Sequence, residues 1–159
     1  MQNFDKKKRS LTVEKYLPHN FLAEKIVLCS LLINSDTVEI ILNNLTVKTF
    51  YFKNHQEIYK AIIRLYKKKI PIDLITLTSF LQDNGLLEKI GGLKILIDLV
   101  NQIPNILYLE EYIRLLQDKF LRRTLIITLR RPYLTTRFDY ISVFYKRNNR
   151  LYNLLLQLM

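Results

Sequence analysis

Apolar residues recur every three or four positions along almost the whole chain, and this spacing is the strongest constraint on its fold. From Asn54, for example, His55, Ile58, Ile62 and Leu65 fall on one side of a helix. Only three glycines and four prolines interrupt 159 residues, and we find no convincing alternation of the kind that β-strands show. The sequence therefore predicts an all-α fold, a compact helical bundle followed by a C-terminal helical linker arm.

Polar residues beside the apolar segments predict where the first helices begin. Asn20 is a candidate N-cap for a helix that runs to Ile33, and its apolar face is so wide that we expect a buried central helix. Asp36 and Glu39 have the spacing of a capping box at the start of a short helix.

Glycine and proline predict the later boundaries. Asp73 and Gly85 bound another helix, and the pair Gly91 and Gly92 makes a tight turn before a helix over residues 93–100. Asn105 can cap a long helix of about 25 residues that Pro132 closes.

Several classes of site are excluded by what the sequence lacks. Cys29 is the only cysteine and His19 and His55 are the only histidines, so we expect neither a disulfide framework nor a metal site. There is no P-loop and no dinucleotide-binding glycine motif. Without these motifs we expect no cofactor in this chain. The longest apolar run, residues 26–33, is too short to cross a membrane, so we expect no membrane partner.

The net charge of +11 is unevenly distributed. It is +3 over residues 1–25, zero over 26–113 and +8 over 114–150. Basic side chains in this last segment alternate with aromatic ones, a mixture that can hold phosphates and stack bases. The candidate nucleic-acid contacts are Arg122, Arg123, Arg130, Arg131, Lys146, Arg147 and Arg150.

The single residues that could be catalytic are better explained by structural roles. His55 lies on the apolar side of its helix, where a packed, hydrogen-bonded histidine is the usual case and a catalyst the rarer one. Cys29 lies in the most apolar helix and is expected to act as a small hydrophobe. Glu110 and Glu111 are adjacent on a helix and point about 100° apart, so they indicate a solvated face. We predict no catalytic residue.

Short motifs in a fixed order identify a family. The chain resembles the N-terminal domain of the DnaB family of replicative DNA helicases over about residues 17–127. The matching segments are Leu17-Pro18-His19-Asn20, Ala23-Glu24, Phe50-Tyr51, Asn54-His55, Ile58-Tyr59, Pro71-Ile72-Asp73, Thr76-Leu77, Ile90-Gly91-Gly92 and Arg122-Arg123.

The resemblance implies a domain organisation and a set of structural positions. It indicates a basic N-terminal tail at 1–16, a helicase N-terminal-like helical domain at 17–131 and a linker-like amphipathic arm at 132–159. The signature residues, to which we assign architecture, are Pro18, Asn20, Glu24, Asn54, His55, Asp73, Thr76, Gly91 and Gly92. Cys29 departs from the family, which usually has glycine there.

The resemblance also implies a role in DNA replication. Such domains form homo-oligomers and present a docking surface to primase and to the helicase loader. The family's motor, with its P-loop, does not occur in these 159 residues. We therefore predict a subunit or truncated form of a helicase that is itself non-catalytic. ATP and Mg²⁺ would belong to the motor, which a separate ATPase chain can supply.

Two other functions stay open. The protein can be a small basic DNA-binding protein that uses its C-terminal arm, or the product of a degenerate gene. Residues Ile, Leu, Lys, Asn, Tyr and Phe are abundant while Gly, Ala and Trp are scarce, a bias typical of AT-rich genomes. We expect the plastid stroma if the gene is organellar, and otherwise the bacterial cytoplasm.

Overall fold

A computed structural model describes residues 17–102 and 106–129, and in these ranges the chain is helical with no β-strand. The all-α prediction is confirmed. The α-helices are α1 (Phe21–Ile33), α2 (Asp36–Asn44), α3 (Lys53–Lys67), α4 (Leu74–Asp83), α5 (Leu87–Ile90), α6 (Leu93–Val100) and α7 (Leu109–Leu129), with 3₁₀ turns at Val47–Thr49 and Ile106–Tyr108.

Several predictions fall on residues that the structure does not describe. The tail at 1–16, the cap at Asn105, the stop at Pro132 and the arm at 132–159 lie outside the described ranges. The chain divides into two units, 1–126 and 127–159, and the second contributes only the end of α7 to the described part.

The core forms around α1 and α3. Helix α1 packs against α2, α3 and α6, while α3 also packs against α4 and α5. The bulkiest fully buried side chains are Tyr59 of α3 and Phe50, whose ring centroids lie 4.6 Å apart. Tyr59 also donates a hydrogen bond from its hydroxyl to the Leu45 carbonyl at 3.1 Å. Burial raises the pKa of the Tyr59 hydroxyl.

The predicted burial of the central helix is confirmed over residues 23–32, and only the two ends of the helix are exposed. Val27, Leu28 and Leu31 of α1 are fully buried, but Leu22 and Ile33 at its two ends are each 55% exposed. The wide apolar face therefore does not mean burial throughout.

The capping box predicted for α2 is wrong. Asp36 is the first helical residue, Ser35 occupies the cap position, and the Ser35 side chain makes no capping hydrogen bond. Asn34 Oδ1 instead accepts a hydrogen bond from the Asp36 amide at 2.9 Å. A carboxylate one position inside the helix cannot reach back over the first turn as a cap does.

Helix α7 completes the core from the C-terminal side of the domain. Leu109, Ile113 and Leu116 are buried and belong to the main apolar cluster, as their spacing predicts. Ile127, placed on the same predicted stripe, is largely exposed. Gln117 Nε2 donates a hydrogen bond to the Asn44 carbonyl at 2.9 Å, which ties α7 to the end of α2.

Candidate functional site

A buried carboxylate, Glu24, lies in the first turn of α1 and is completely inaccessible to solvent. Its Oε1 accepts from the Tyr51 amide at 2.7 Å, and its Oε2 lies 2.8 Å from His55 Nδ1 and 3.4 Å from the Phe52 amide. Burying a carboxylate is expensive unless donors surround it. Three donors from the segment between α2 and α3, and from α3 itself, meet that requirement.

Arg123 of α7 enters the same region from the opposite side. Its guanidinium donates to the carbonyls of Pro18 at 2.8 Å and Lys48 at 3.4 Å, and also to the Thr49 carbonyl. Burial lowers the pKa of Arg123, and the nearby negative charge of Glu24 raises it. Through these hydrogen bonds, Arg123 connects α7 to the segment before α1 and to the 3₁₀ turn at Val47–Thr49.

Aromatic rings enclose the buried polar groups. The His19 ring stacks on Tyr51 with centroids 4.4 Å apart, and Phe21 stacks on His55 at 5.3 Å. Phe52 meets His55 edge to face at 5.3 Å. No buried side-chain nitrogen or oxygen among the described residues lacks a hydrogen-bond partner. His55 is therefore packed and hydrogen-bonded, as the sequence analysis predicted.

Other signature residues lie at helix ends. Asn20 Oδ1 accepts from the Ala23 amide at 2.9 Å and Asp73 Oδ1 from the Thr76 amide at 2.8 Å, so both are N-caps. The Thr76 hydroxyl also donates to Asp73 Oδ2 at 3.0 Å. These hydrogen bonds lower the pKa of Asp73, the bond from the Thr76 amide most of all.

The remaining signature residues shape a helix start and a turn. Asn54 lies one residue inside α3, and its Oδ1 accepts from the His55 amide at 3.0 Å. Gly91 and Gly92 have φ of +105° and +77°, values that favour glycine. A Cβ on Gly91 would lie 2.8 Å from Ile95 Cγ1, so this turn also needs the space.

The two adjacent arginines predicted as nucleic-acid contacts occupy different environments. Arg122 is exposed and its Nε lies 2.9 Å from Asp118 Oδ2. Arg123 is only 6% exposed and its guanidinium is engaged by carbonyls, so we leave it out of the candidate nucleic-acid surface. Arg130, Arg131, Lys146, Arg147 and Arg150 lie outside the described residues.

Helices α1 and α6 are neighbours, and both carry exposed apolar side chains that the sequence analysis missed. The Lys25–Asp98 ion pair at 2.7 Å joins α1 to α6, and the hydrogen bond from Cys29 Sγ to the Gln102 carbonyl at 3.0 Å joins α1 to the residues after α6. Residue numbers rise together in these contacts, so the helices run parallel. Burial, opposed by the Lys25 charge, raises the pKa of the Cys29 thiol.

The exposed apolar side chains lie on both helices. They are Phe21, Leu22 and Ile33 of α1 and Leu93 and Ile97 of α6. We call this set the α1–α6 surface. Leu93 and Ile97, 45% and 44% exposed, are four residues apart and so share one side of α6. That spacing was visible in the sequence, but it did not show which side of α6 faces the core.

Two kinds of feature do not occur in the described residues. They contain no group of three or more His, Cys, Asp or Glu side chains placed to hold a metal ion. None of the helices in the described part is both long and apolar enough to span a membrane.

Comparison with known proteins gives a consistent result. Residues 16–118 match the family described as DnaB-like helicase N terminal domain. A probable replicative DNA helicase of Trieres chinensis is 64% identical over 126 residues, which are 79% of this chain and 28% of that protein. The replicative DNA helicase DnaB of Synechocystis is 35% identical over 109 residues, 69% of this chain and 12% of that protein.

A solved structure agrees with the sequence matches. The crystal structure of the N-terminal domain of DnaB helicase from Mycobacterium tuberculosis is 30% identical with a TM-score of 0.69, and the match covers 80% of this chain and 89% of that one. The chain spans less than a third of the length of the two helicases named above. The family match covers well over half of the chain, and the resemblance read from the sequence is confirmed: this chain belongs to the DnaB-like helicase N-terminal domain family.

Proposed function

We propose that this chain acts in DNA replication as an assembly and docking domain of a replicative helicase. It associates with further copies of itself and presents a surface to primase and the helicase loader. The observation that carries the proposal is the α1–α6 surface of the family fold. Exposed apolar side chains grouped on neighbouring helices are typical of protein–protein contact sites.

The chemistry of the described residues supports a binding role. Glu24, His55 and Arg123 would be the natural candidates for acid–base work, but each is buried and hydrogen-bonded to the protein itself. A catalytic group must reach a substrate atom, usually from the wall of a cleft. These three residues instead hold the loops and helices in place, so we assign the described domain a non-catalytic role.

Self-association is tested by light scattering over a concentration series. We expect the wild-type chain to assemble as its concentration rises. The double variant Leu93→Asp/Ile97→Asp should raise the dissociation constant about tenfold or more, because it places two carboxylates in the contact. Ile75→Asp is the matched control, since Ile75 of α4 is 79% exposed and lies outside the α1–α6 surface. A wild-type chain that stays monomeric throughout contradicts the proposal.

Docking is tested by purifying the tagged chain from its native extract and identifying every co-eluting protein. We expect primase and an ATPase with a P-loop, the motor that would use ATP and Mg²⁺. The Leu93→Asp/Ile97→Asp variant should recover less of both than Ile75→Asp does. Recovery of neither protein with the wild-type chain would refute the docking role.

We also propose a plastid location. The diatom relative at 64% identity and the cyanobacterial relative at 35% support it, together with an amino-acid composition that is typical of AT-rich genomes. Antibody detection in fractionated cells should find the chain in the plastid stroma. Detection in the cytosol alone would rule this location out.

A further inference from the structure

The positive charge of the described domain is concentrated on α3 and the two residues after it. Residues 53–69 hold six Lys and Arg side chains and one carboxylate, a net charge of +5. The other described residues hold eight basic and ten acidic side chains, a net charge of −2. The net charge of residues 26–113 is therefore zero although one helix within this range is strongly basic.

Four of these cations lie on one side of α3. Lys53, Lys60, Arg64 and Lys67 are separated by seven, four and three residues, spacings that keep them within one helical face. We call them the basic stripe. The opposite side of α3 carries the buried core residues His55, Ile58, Tyr59, Ile62 and Leu65. At 1.5 Å per residue the stripe is about 21 Å long, and Lys68 and Lys69 follow at its end.

The stripe is poorly neutralised by the protein itself. Glu57 pairs with Lys60 at 2.6 Å, but Arg64 and Lys67 have no ion pair among the described residues. Some basic side chains on other elements are neutralised, whereas Lys89 and Lys94, like Arg64 and Lys67, have no ion pair among the described residues. Lys25, Arg114 and Arg122 each contact a carboxylate.

The helix dipole explains only part of this arrangement. The negative end of α3 favours cations in its last turn, which suits Arg64 and Lys67. It gives no benefit to Lys60, two turns from the end, and it disfavours Lys53 at the positive end. An external anion that follows the helix axis would stabilise all four.

We propose that the basic stripe binds the phosphodiester backbone of nucleic acid without regard to base sequence. In B-DNA successive phosphates of one strand rise about 3.4 Å along the axis, so the stripe spans about six of them. Side-chain amides that read bases are already engaged on α3: Gln56 Nε2 donates to the Phe50 carbonyl at 2.7 Å, and Asn54 Oδ1 accepts from His55. Three of the four stripe cations are lysines, which act as point charges on phosphate.

The test is fluorescence anisotropy of the full chain with labelled mixed-sequence oligonucleotides, single-stranded and duplex, between 50 and 200 mM salt. The variant Arg64→Gln/Lys67→Gln should lower the slope of log Kd against log salt by about 1.4 on single strands or about 1.8 on duplex. The form of nucleic acid whose slope falls by the value expected for that form is the one that the stripe binds.

A matched control separates position from total charge. Lys89 and Lys94 are exposed on α5 and α6, and Lys89→Gln/Lys94→Gln removes the same two charges. We expect this control to keep the wild-type slope. Both pairs of residues are exposed, so circular dichroism should show unchanged helix content.

Two results would overturn the proposal. One is a stripe variant that binds with the same slope as the Lys89→Gln/Lys94→Gln control. The other is displacement of the labelled oligonucleotide by polyglutamate at a lower charge concentration than by unlabelled oligonucleotide, which would indicate an acidic protein partner. Self-association is measured separately by light scattering, so failure here leaves the proposed assembly role untouched.

Discussion

Arg122 and Arg123 are neighbours in the sequence, but one faces solvent and the other fastens three backbone carbonyls. The difference follows from helical phase. Arg123 continues the buried side of α7 three residues after Phe120 and seven after Leu116, whereas Arg122 lies four residues after Asp118 on the outer side. The sequence held this signal, but the motif of paired arginines beside aromatic residues obscured it.

Arg123→Ala should lower the free energy of unfolding by about 3 kcal/mol or more, because it leaves buried carbonyls unpaired and a buried Glu24 without its nearby cation. Arg122→Ala, its matched control, should change stability by about 0.5 kcal/mol or less, since its ion pair is exposed. Urea unfolding of both variants measures the difference. Equal losses of unfolding free energy in the two variants would show that the buried hydrogen bonds of Arg123 do not stabilise the fold.

Lys69 is held in the left-handed region with φ of +55° at the C-terminal end of α3. Its amide bonds to the Tyr66 carbonyl at 3.0 Å, and the Ile70 amide bonds to the Leu65 carbonyl at 3.1 Å. This is a Schellman motif, and its left-handed position is usually glycine.

Lys69→Gly should therefore raise the free energy of unfolding by about 0.5–1 kcal/mol. Arg64→Gly, at an exposed position one turn inside α3, should lower it by about 1 kcal/mol. Thermal melts of the two variants should shift in opposite directions. A shift in the same direction would mean that the left-handed conformation of Lys69 carries no strain.

At the scale of elements, the sequence predicts local features well and distant contacts poorly. Asn20 and Asp73 cap helices as their positions indicate, because a cap contacts an amide only three residues away. Helix α5 has four residues, too few for any apolar period, and was not predicted. The pairing of Glu24 with His55 joins residues 31 positions apart and depends on how α1 packs on α3.

Asp73→Ala should lower the free energy of unfolding by about 1 kcal/mol at pH 7, because α4 loses its N-cap. The folded-state pKa of Asp73 lies below that of the unfolded chain. The extra stability is therefore present at neutral pH and is lost as the pH falls through the folded-state pKa.

Urea unfolding at pH 7 and pH 3 tests this pH dependence. The difference between wild type and Asp73→Ala should shrink at the lower pH. The matched control is Asp83→Ala at the other end of α4, where no hydrogen bond caps the helix through this side chain. An Asp73→Ala effect that is constant with pH would show that the carboxylate charge does not contribute.

At the scale of the whole molecule, α7 belongs to the same core as the helices that precede it. Leu109, Ile113 and Leu116 join the apolar cluster formed by α1 and α3. Their spacing predicted a buried side for α7. It did not predict the partners, because packing between helices far apart in sequence leaves no local pattern.

Leu116→Ala should lower the free energy of unfolding by about 2–5 kcal/mol, since it opens a cavity at a fully buried position. Ile75→Ala, at an exposed position of α4, should change stability by about 0.5 kcal/mol or less. Urea unfolding followed by circular dichroism should give one transition for both. A separate transition for α7 would show that it does not share the core.

The hydrogen bond from Arg123 to the Pro18 carbonyl joins residues 105 positions apart. During synthesis the first helices leave the ribosome well before this arginine exists as part of the chain. Until then the carbonyls of Pro18 and Thr49 must accept hydrogen bonds from water, and Glu24 lacks the nearby positive charge of Arg123. The domain therefore reaches its native structure only after translation has passed α7, and nascent chains arrested earlier offer chaperones and proteases an unfinished core.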